Sequence, residues 1–189
     1  MKDIRKDIEF RAVLRGQNLR FHSAWGLFSP EHIDEGTELL MNELEIKETD
    51  TCLDLGCGYG AIGLVMAKLA PQGNVHMVDK DFVAVEYAKK NAEANGLKNC
   101  EAYLSNGFSH IPQDAKFDVI ASNLPAKPSK ELYQIFFDDA NKYLKPGGKF
   151  YVVVISGLKE FIKRSFKEEF GNCEKLKQGR AHCVFVAIK

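Results

Sequence analysis

The chain has 189 residues, 45% hydrophobic and 28% charged, which is material for one core of ordinary domain size and excludes disordered, collagen-like and fibrous classes. No apolar run approaches the ~20 residues that span a bilayer, and the opening MKDIRKDIEFRAVLR carries charges where a secretory signal needs an apolar stretch, so a cytoplasmic location is expected. A net charge of zero hides basic ends: residues 1–20 carry six basic and three acidic groups, residues 21–141 nine and nineteen, and residues 142–189 eleven and four, a distribution that suits a polyanion-binding surface or an ordinary solvated one.

Along the chain, residues 10–28 lack helical period and mix aromatic with basic side chains, predicting a strand or hairpin over a sheet. Residues 35–44 then read as an amphipathic helix. From Thr51 onward, β-rich runs (TCLDL, NVHMVD, NCEAYL, KFDVIAS, KFYVVVI) alternate with helical stretches at 61–70, 82–95 and 131–145. That alternation predicts a Rossmann-like α/β fold, a parallel sheet with helices on both faces. In the helix at 131–145, Leu132, Ile135, Phe136, Ala140, Tyr143 and Leu144 fall on one face, and Pro146-Gly147-Gly148 stops it. A further helix around Leu158 to Phe166 ends near Gly171, and two last strands, at 173–176 and 183–188, form an antiparallel pair at the edge of a seven-stranded sheet. A single domain is expected, with residues 1–33 as an N-terminal extension and 34–189 as the core. Five cysteines, an odd number without CxxC or His/Cys clustering, suggest neither a disulfide framework nor a metal site.

The chemistry concentrates at Asp54-Leu55-Gly56-Cys57-Gly58-Tyr59-Gly60, between the first strand of the alternating region and its helix. Glycines at the carboxyl end of a central strand let backbone approach a ligand closely. Asp79, at the end of the next strand, is placed to hold ribose hydroxyls. Gly58-Tyr59-Gly60-Ala61-Ile62-Gly63 also fits the dinucleotide pattern GxGxxG. Asp54 discriminates: a carboxylate entering the loop repels a diphosphate and attracts a ligand with ammonium and sulfonium charges. At ~6 Å and an effective dielectric of ~20, one such pair is worth ~3 kcal/mol before solvation, favouring S-adenosylmethionine.

DLGCGYG followed by VHMVDKD resembles the first two motifs of class I S-adenosylmethionine-dependent methyltransferases. The order WGLFSPEHIDEGTELLM, DLGCGYGAIGLVMA, YLSNGFS, FDVIASNLPA is similar to the methyltransferase small-domain family, which includes bacterial 16S ribosomal RNA guanine-N2 methyltransferases. The C-type enzymes there carry an additional amino-terminal domain, so this chain is expected to be a stand-alone catalytic domain. The resemblance implies that Gly56, Gly58 and Gly60 line the methionine and ribose moieties, that Asp54 approaches the methionine end, and that Asp79, with Lys80 beside it, binds the ribose. It also places Asn106 and Gly107 at the adenine, and Gly36-Thr37 near the methionine. Asn123-Leu124-Pro125-Ala126 stands where the superfamily carries N-P-P-aromatic. There Asn123 and the Leu124 carbonyl would accept hydrogen bonds from an acceptor amine, with Pro125 stiffening the loop. Ala126 cannot stack on a base, so another platform is required, with Trp25, Phe28, Tyr59 and Phe108 as candidates; Lys127 would reach a phosphate or carboxylate. The implied function is methylation of an exocyclic amine of a ribosomal or transfer RNA base. A small molecule or protein amide as acceptor, or a non-catalytic binding protein on the same fold, are the alternatives. No histidine is assigned a catalytic role.

Overall fold

The computed structural model describes residues 7–126 and 129–189. The chain opens with a hairpin, β1 (Ile8–Leu14) and β2 (Gln17–Ser23), followed by α1 (Glu35–Glu43). Alternation then begins: β3 (Thr51–Leu55), α2 (Ala61–Leu69), β4 (Asn74–Asp79), α3 (Phe82–Ala94), β5 (Cys100–Leu104), β6 (Phe117–Asn123), α4 (Lys130–Tyr143), β7 (Leu144–Ile155), α5 (Lys159–Phe170), β8 (Glu174–Gln178) and β9 (His182–Ile188). The seven-stranded sheet runs β5-β4-β3-β6-β7-β9-β8. Strands β5 to β7 are parallel, and β9 is antiparallel to both its neighbours. The expected Rossmann-like α/β class is therefore present.

Local chemistry sets the helix ends. Asp34, Asp81 and Ser129 cap α1, α3 and α4 with side-chain oxygens that accept from backbone N–H groups. Gly171, at φ 73°, closes α5 in the left-handed conformation. The sheet separates two apolar layers. One holds α1, α2, α3 and the inner face of the hairpin, the other the aromatic faces of α4 and α5, where Phe137 meets Phe166 edge-on at 5.1 Å between ring centroids. The chain leaves β3 toward β4 and β5 on one side, then returns from β5 to β6 on the other side of β3. A crevice opens at the carboxyl ends of strands where the order reverses in this way.

Three expectations need correction. The hairpin forms a separate two-stranded sheet that packs on α3 and the glycine loop, not over the main sheet. The helix at 131–145 ends at Tyr143, because Leu144 is buried in the sheet and already pairs with Phe117; Pro146-Gly147-Gly148 lies within β7, where the ladder register shifts. In α4 the core face is Tyr133, Phe137 and Ala140, while Ile135 is exposed. Leu132 and Phe136 turn toward the crevice, so the apolar residues of α4 serve two faces and a single-stripe reading merges them. Among the described residues no helix is long and apolar enough to cross a membrane.

One buried amide ties the hairpin to this frame. Asn91 of α3 accepts from the His22 N–H at 2.6 Å and donates to the carbonyls of His22 and Tyr59, both at 2.9 Å. Asn91→Ala strands three backbone groups, so a loss of about 2–4 kcal/mol is expected in urea unfolding, with faster proteolytic cleavage of the hairpin than of the sheet. Unchanged stability would show that the hairpin is held by its aromatic contacts alone.

Candidate active site

The crevice has a volume of about 550 Å³. Its floor is the end of β3 and the loop after it. The N–H groups of Gly56 and Cys57 both donate to the Val78 carbonyl, at 2.8 and 2.9 Å, and Gly60 N–H donates to the Cys57 carbonyl at 2.8 Å. Gly58 N–H donates to Asp79 Oδ2 at 2.9 Å, while Asp79 Oδ1 accepts from Asp81 N–H at 3.0 Å. Asp79 is thereby fixed at the rim with one backbone donor on each oxygen. A Cβ built at Gly56 or Gly58 would meet no atom within 4 Å, so these positions border open space.

Asp54 does not reach this space. It is completely buried, and its Oδ2 accepts from Gly63 N–H at 2.7 Å. Gly60, the N-cap of α2, has no side chain with which to cap; Asp54 supplies that oxygen from the preceding strand. Burial, with a smaller contribution from Asp79, pushes its carboxyl up to about 7, and Oδ1 has no partner among the described residues. The expectation that Asp54 meets a ligand's charge is therefore corrected: it acts on the loop from behind. Gly60 is also directed inward, since a Cβ there would approach Leu64 Cδ1 to 2.8 Å. A diphosphate is disfavoured for a different reason: most loop amides that would cradle one are already bonded within the protein.

The opposite wall is built by β6 and α1. Asn123 Nδ2 donates to Thr37 Oγ1 at 2.9 Å and to Asp34 Oδ2 at 3.2 Å. The Asp34 carboxylate only accepts, so the Asn123 amide must turn its NH₂ toward α1, leaving Oδ1 as the acceptor on the other side. Ser122 Oγ donates to the Leu55 carbonyl at 2.7 Å, locking β6 to β3 beneath it. Leu124 N–H donates to the Val153 carbonyl at 3.1 Å, and Tyr133 OH donates to the Pro125 carbonyl. Among the described residues no donor is paired with the Leu124 carbonyl.

Of the residues singled out in the sequence, Phe28, Gly56, Gly58, Asp79, Lys80, Asn106, Gly107, Asn123, Leu124 and Pro125 line this one crevice. Lys127 falls outside the described residues. Among the platform candidates Phe108 is buried against Tyr143, and Trp25 does not line the crevice. Tyr59 lines it but is buried, and its hydroxyl donates to the carbonyls of Ser29 and His32, at 3.2 and 3.3 Å. Phe28 stands at the mouth with 66% of its surface exposed. Sequence reasoning missed Asp34 and His182. The only local signal at Asp34 is its place just before the helix at 35–44, and the His182 ring enters from β9, with a buried Nδ1 that has no partner among the described residues. The Cys57 thiol, pushed well above its ordinary value by burial and by Asp54 and Asp79, is unsuited to nucleophilic attack.

Residues 18–186 match the methyltransferase small domain. The chain is 35% identical over 142 residues to YbxB, an uncharacterized protein of Bacillus subtilis, covering 75% of this chain and 71% of that protein. It is 35% identical over 158 residues to ribosomal RNA small subunit methyltransferase C of Haemophilus influenzae, covering 80% of this chain and 47% of that one. The 16S rRNA guanine-N2 methyltransferase of T. thermophilus, solved with AdoMet and guanosine, superposes with a TM-score of 0.88 at 30% identity, over 97% of this chain and 50% of that one. The chain thus spans about half the length of these ribosomal RNA methyltransferases.

The buried Asp54 carboxyl makes a pH prediction. Its folded-state value of about 7 lies above the ordinary 3.8, so the native state binds a proton that the unfolded chain has lost between those limits. Its contribution to stability is greatest below about pH 4, falls as pH rises toward 7 and is level above, a swing on the order of a few kcal/mol. In Asp54→Asn the melting temperature should differ less between pH 5 and pH 8 than in the parent protein; an equal difference in both would mean that Asp54 is charged in the fold.

Proposed function

Since the chain belongs to the methyltransferase small-domain family, we propose that it transfers a methyl group from S-adenosylmethionine to an exocyclic amine of a ribosomal RNA base, with the N2 of guanine as the best-supported acceptor. The observation that carries this reading is the fixed Asn123 amide, with its NH₂ held by Asp34 and Thr37 and, beside it, the Leu124 carbonyl, which is unpaired among the described residues. Two acceptors at the carboxyl end of β6 suit a planar NH₂ group, which presents two donors.

The crevice fits the cofactor. Glycines at 56 and 58 leave open space at the loop, Asp79 offers its remaining lone pairs to vicinal hydroxyls, and the Asn106 amide has no hydrogen-bond partner among the described residues, which leaves it available to an adenine edge. When bound, S-adenosylmethionine supplies an electrophilic methyl group on a positively charged sulfur. The chain's own contribution is orientation. Asn123 and Leu124 hold the amine by its protons, Ser122 fixes the strand that carries them, and the Tyr133 bond to Pro125 restrains the turn. Holding reacting atoms in a near-attack geometry can supply up to roughly 7–11 kcal/mol. The similarity to the guanine-N2 enzyme of T. thermophilus supports the choice of base.

Incubation with labelled S-adenosylmethionine and unmodified ribosomal RNA should place label on guanine N2. Asn123→Ala should lower turnover by about 100-fold or more while affinity for S-adenosylhomocysteine stays within about three-fold. Label appearing only in protein or metabolite pools would overturn the RNA reading, and unchanged turnover would remove Asn123 from the mechanism.

The stacking surface that Ala126 cannot provide is assigned to Phe28. Its turn is pinned: Ser29 sits at φ 46° with its hydroxyl donating to the His32 carbonyl at 2.7 Å, and Tyr59 binds the same segment. Phe28→Ala should raise KM for RNA about ten-fold, in line with a lost stack of ~1–3 kcal/mol, and leave S-adenosylhomocysteine affinity unchanged. An unaltered KM would exclude the ring from substrate binding.

A further inference from the structure

The hairpin carries three arginines in different circumstances. Arg15, in the turn at φ 51°, donates to the carbonyls of Met41 and Leu44, both at 2.8 Å, and so closes the carboxyl end of α1. Arg11 and Arg20 stand directly opposite each other across the ladder. They lie on its outer face, because the alternate positions Leu14, Leu19 and Phe21 are buried against the body of the protein. Among the described residues neither guanidinium has a hydrogen bond or an ion pair. Like charges directly opposite destabilise an antiparallel pair, and among the described residues no carboxylate is paired with them: Glu9, two residues along β1, faces His22, with its Oε1 at 3.6 Å from His22 Nδ1.

The two arginines rim a depression of about 300 Å³ together with Asn18 and Asn95. Asn95, at the end of α3, holds the Arg20 backbone on both sides, accepting from its N–H at 3.0 Å and donating to its carbonyl at 2.7 Å. The pair is therefore mounted on clamped backbone. The same hairpin packs Phe10 and Phe21 against Tyr59 of the glycine loop, with centroids at 6.0 and 5.8 Å. From Arg20 the chain runs eight residues to Phe28 at the crevice mouth, a reach of at most roughly 28 Å.

We propose that the outer face of the hairpin is a binding surface for the phosphodiester backbone of the RNA substrate, with Arg11 and Arg20 bracketing a phosphate on the strand whose base enters the crevice. This rests on the RNA reading above. The chemistry is that of the guanidinium fork: planar, always charged, and matched to two phosphate oxygens at once. A phosphate between the two side chains converts their mutual repulsion into two attractive pairs.

The test compares the full chain with R11Q/R20Q, using a ribosomal RNA transcript over a range of salt concentrations, inorganic phosphate alone, and S-adenosylhomocysteine. Expected is a loss of about ten-fold or more in RNA affinity at low salt, and a slope of log affinity against log salt shallower by about 1–2, as for one or two lost phosphate contacts. Affinity for S-adenosylhomocysteine should be unchanged, and thermal stability equal or higher. R11K/R20K keeps the charge without the fork, and should retain the salt slope while recovering only part of the affinity; it also serves if the glutamine variant folds poorly. Parental RNA affinity and slope in R11Q/R20Q, while the parent protein methylates RNA, would overturn the surface and leave the enzymatic reading standing. Competition by millimolar inorganic phosphate that saturates the site without affecting RNA binding would reassign the pair to free phosphate and equally overturn the proposal. A parent protein that neither binds nor methylates RNA would overturn both.

Discussion

The crevice depends on how closely the amino-terminal turn of α2 approaches β4. A Cβ at Gly63 would lie 2.4 Å from Met77 Cγ, and one at Gly60 2.8 Å from Leu64 Cδ1. Glycine at 63 lets the helix seat against β4, and glycine at 60 takes the left-handed conformation, φ 92°, from which the helix starts. Seated there, α2 needs an acceptor for its first N–H groups, and none can come from Gly60. The Asp54 carboxyl fills that need at the cost of complete burial, which its raised proton affinity relieves. Because the helix is drawn down and back, the loop from Gly56 to Gly58 is left facing open space, with its amides committed to Val78 and Asp79. The character of the crevice, hospitable to hydroxyls and poor in free amide donors, follows from one tight contact beneath it.

A second constraint joins parts of the chain that are far apart in sequence. Asp34 both caps α1, through Thr37 N–H at 3.0 Å, and receives the Asn123 amide from the end of β6, 89 residues later. The helix cap and the orientation of the acceptor loop are therefore the same carboxylate. The arrangement is possible because the sheet order reverses beside β3, bringing the end of β6 against the segment that precedes the sheet. Rotation of the Asn123 amide would set its NH₂ against whatever approaches from the crevice and leave its oxygen against a carboxylate, so the cap also fixes which end of the amide is presented.

These two constraints explain what could be read from the residues alone. The alternation of β-rich runs with helical stretches, the glycine loop and Asp79 are local patterns, each contained within a few dozen residues, and they gave the sheet, its helices and the loop side of the crevice. Contacts made only by folding were not legible. Asp54 looked like a ligand-facing charge because its position one strand-end before the glycines is compatible with either side of the loop. Its actual direction is decided by α2, whose approach depends on Met77 in another strand. Gly60 was grouped with Gly56 and Gly58 by spacing, yet it faces Leu64 and Ala88. His182 begins a strand that reaches the crevice only through its pairing with β7, and nothing around it in sequence marks it. In α4, two apolar faces, one for the core and one for the crevice, blurred the single period that would have separated them.

Ala126 stands where the family's pattern has an aromatic residue, and the proposed function moves the stacking role to Phe28. A stacking ring on the acceptor loop would couple grip on the base to the geometry of Asn123 and Leu124. Phe28 stands instead on a turn that belongs to the hairpin segment, and its fixity derives from Ser29, from Tyr59 and, through Asn91, from α3. The Tyr59 ring that restrains this turn also packs on Phe21 and Phe10. The exposed ring, the glycine loop and the outer arginines are thus joined by contacts on the α3 side, while Asn123 and Thr37 sit on the β6 and α1 side. Under the proposed function, substitutions on one side would change the grip on a base without disturbing the orientation of its amine on the other, two effects that an aromatic at position 126 would couple.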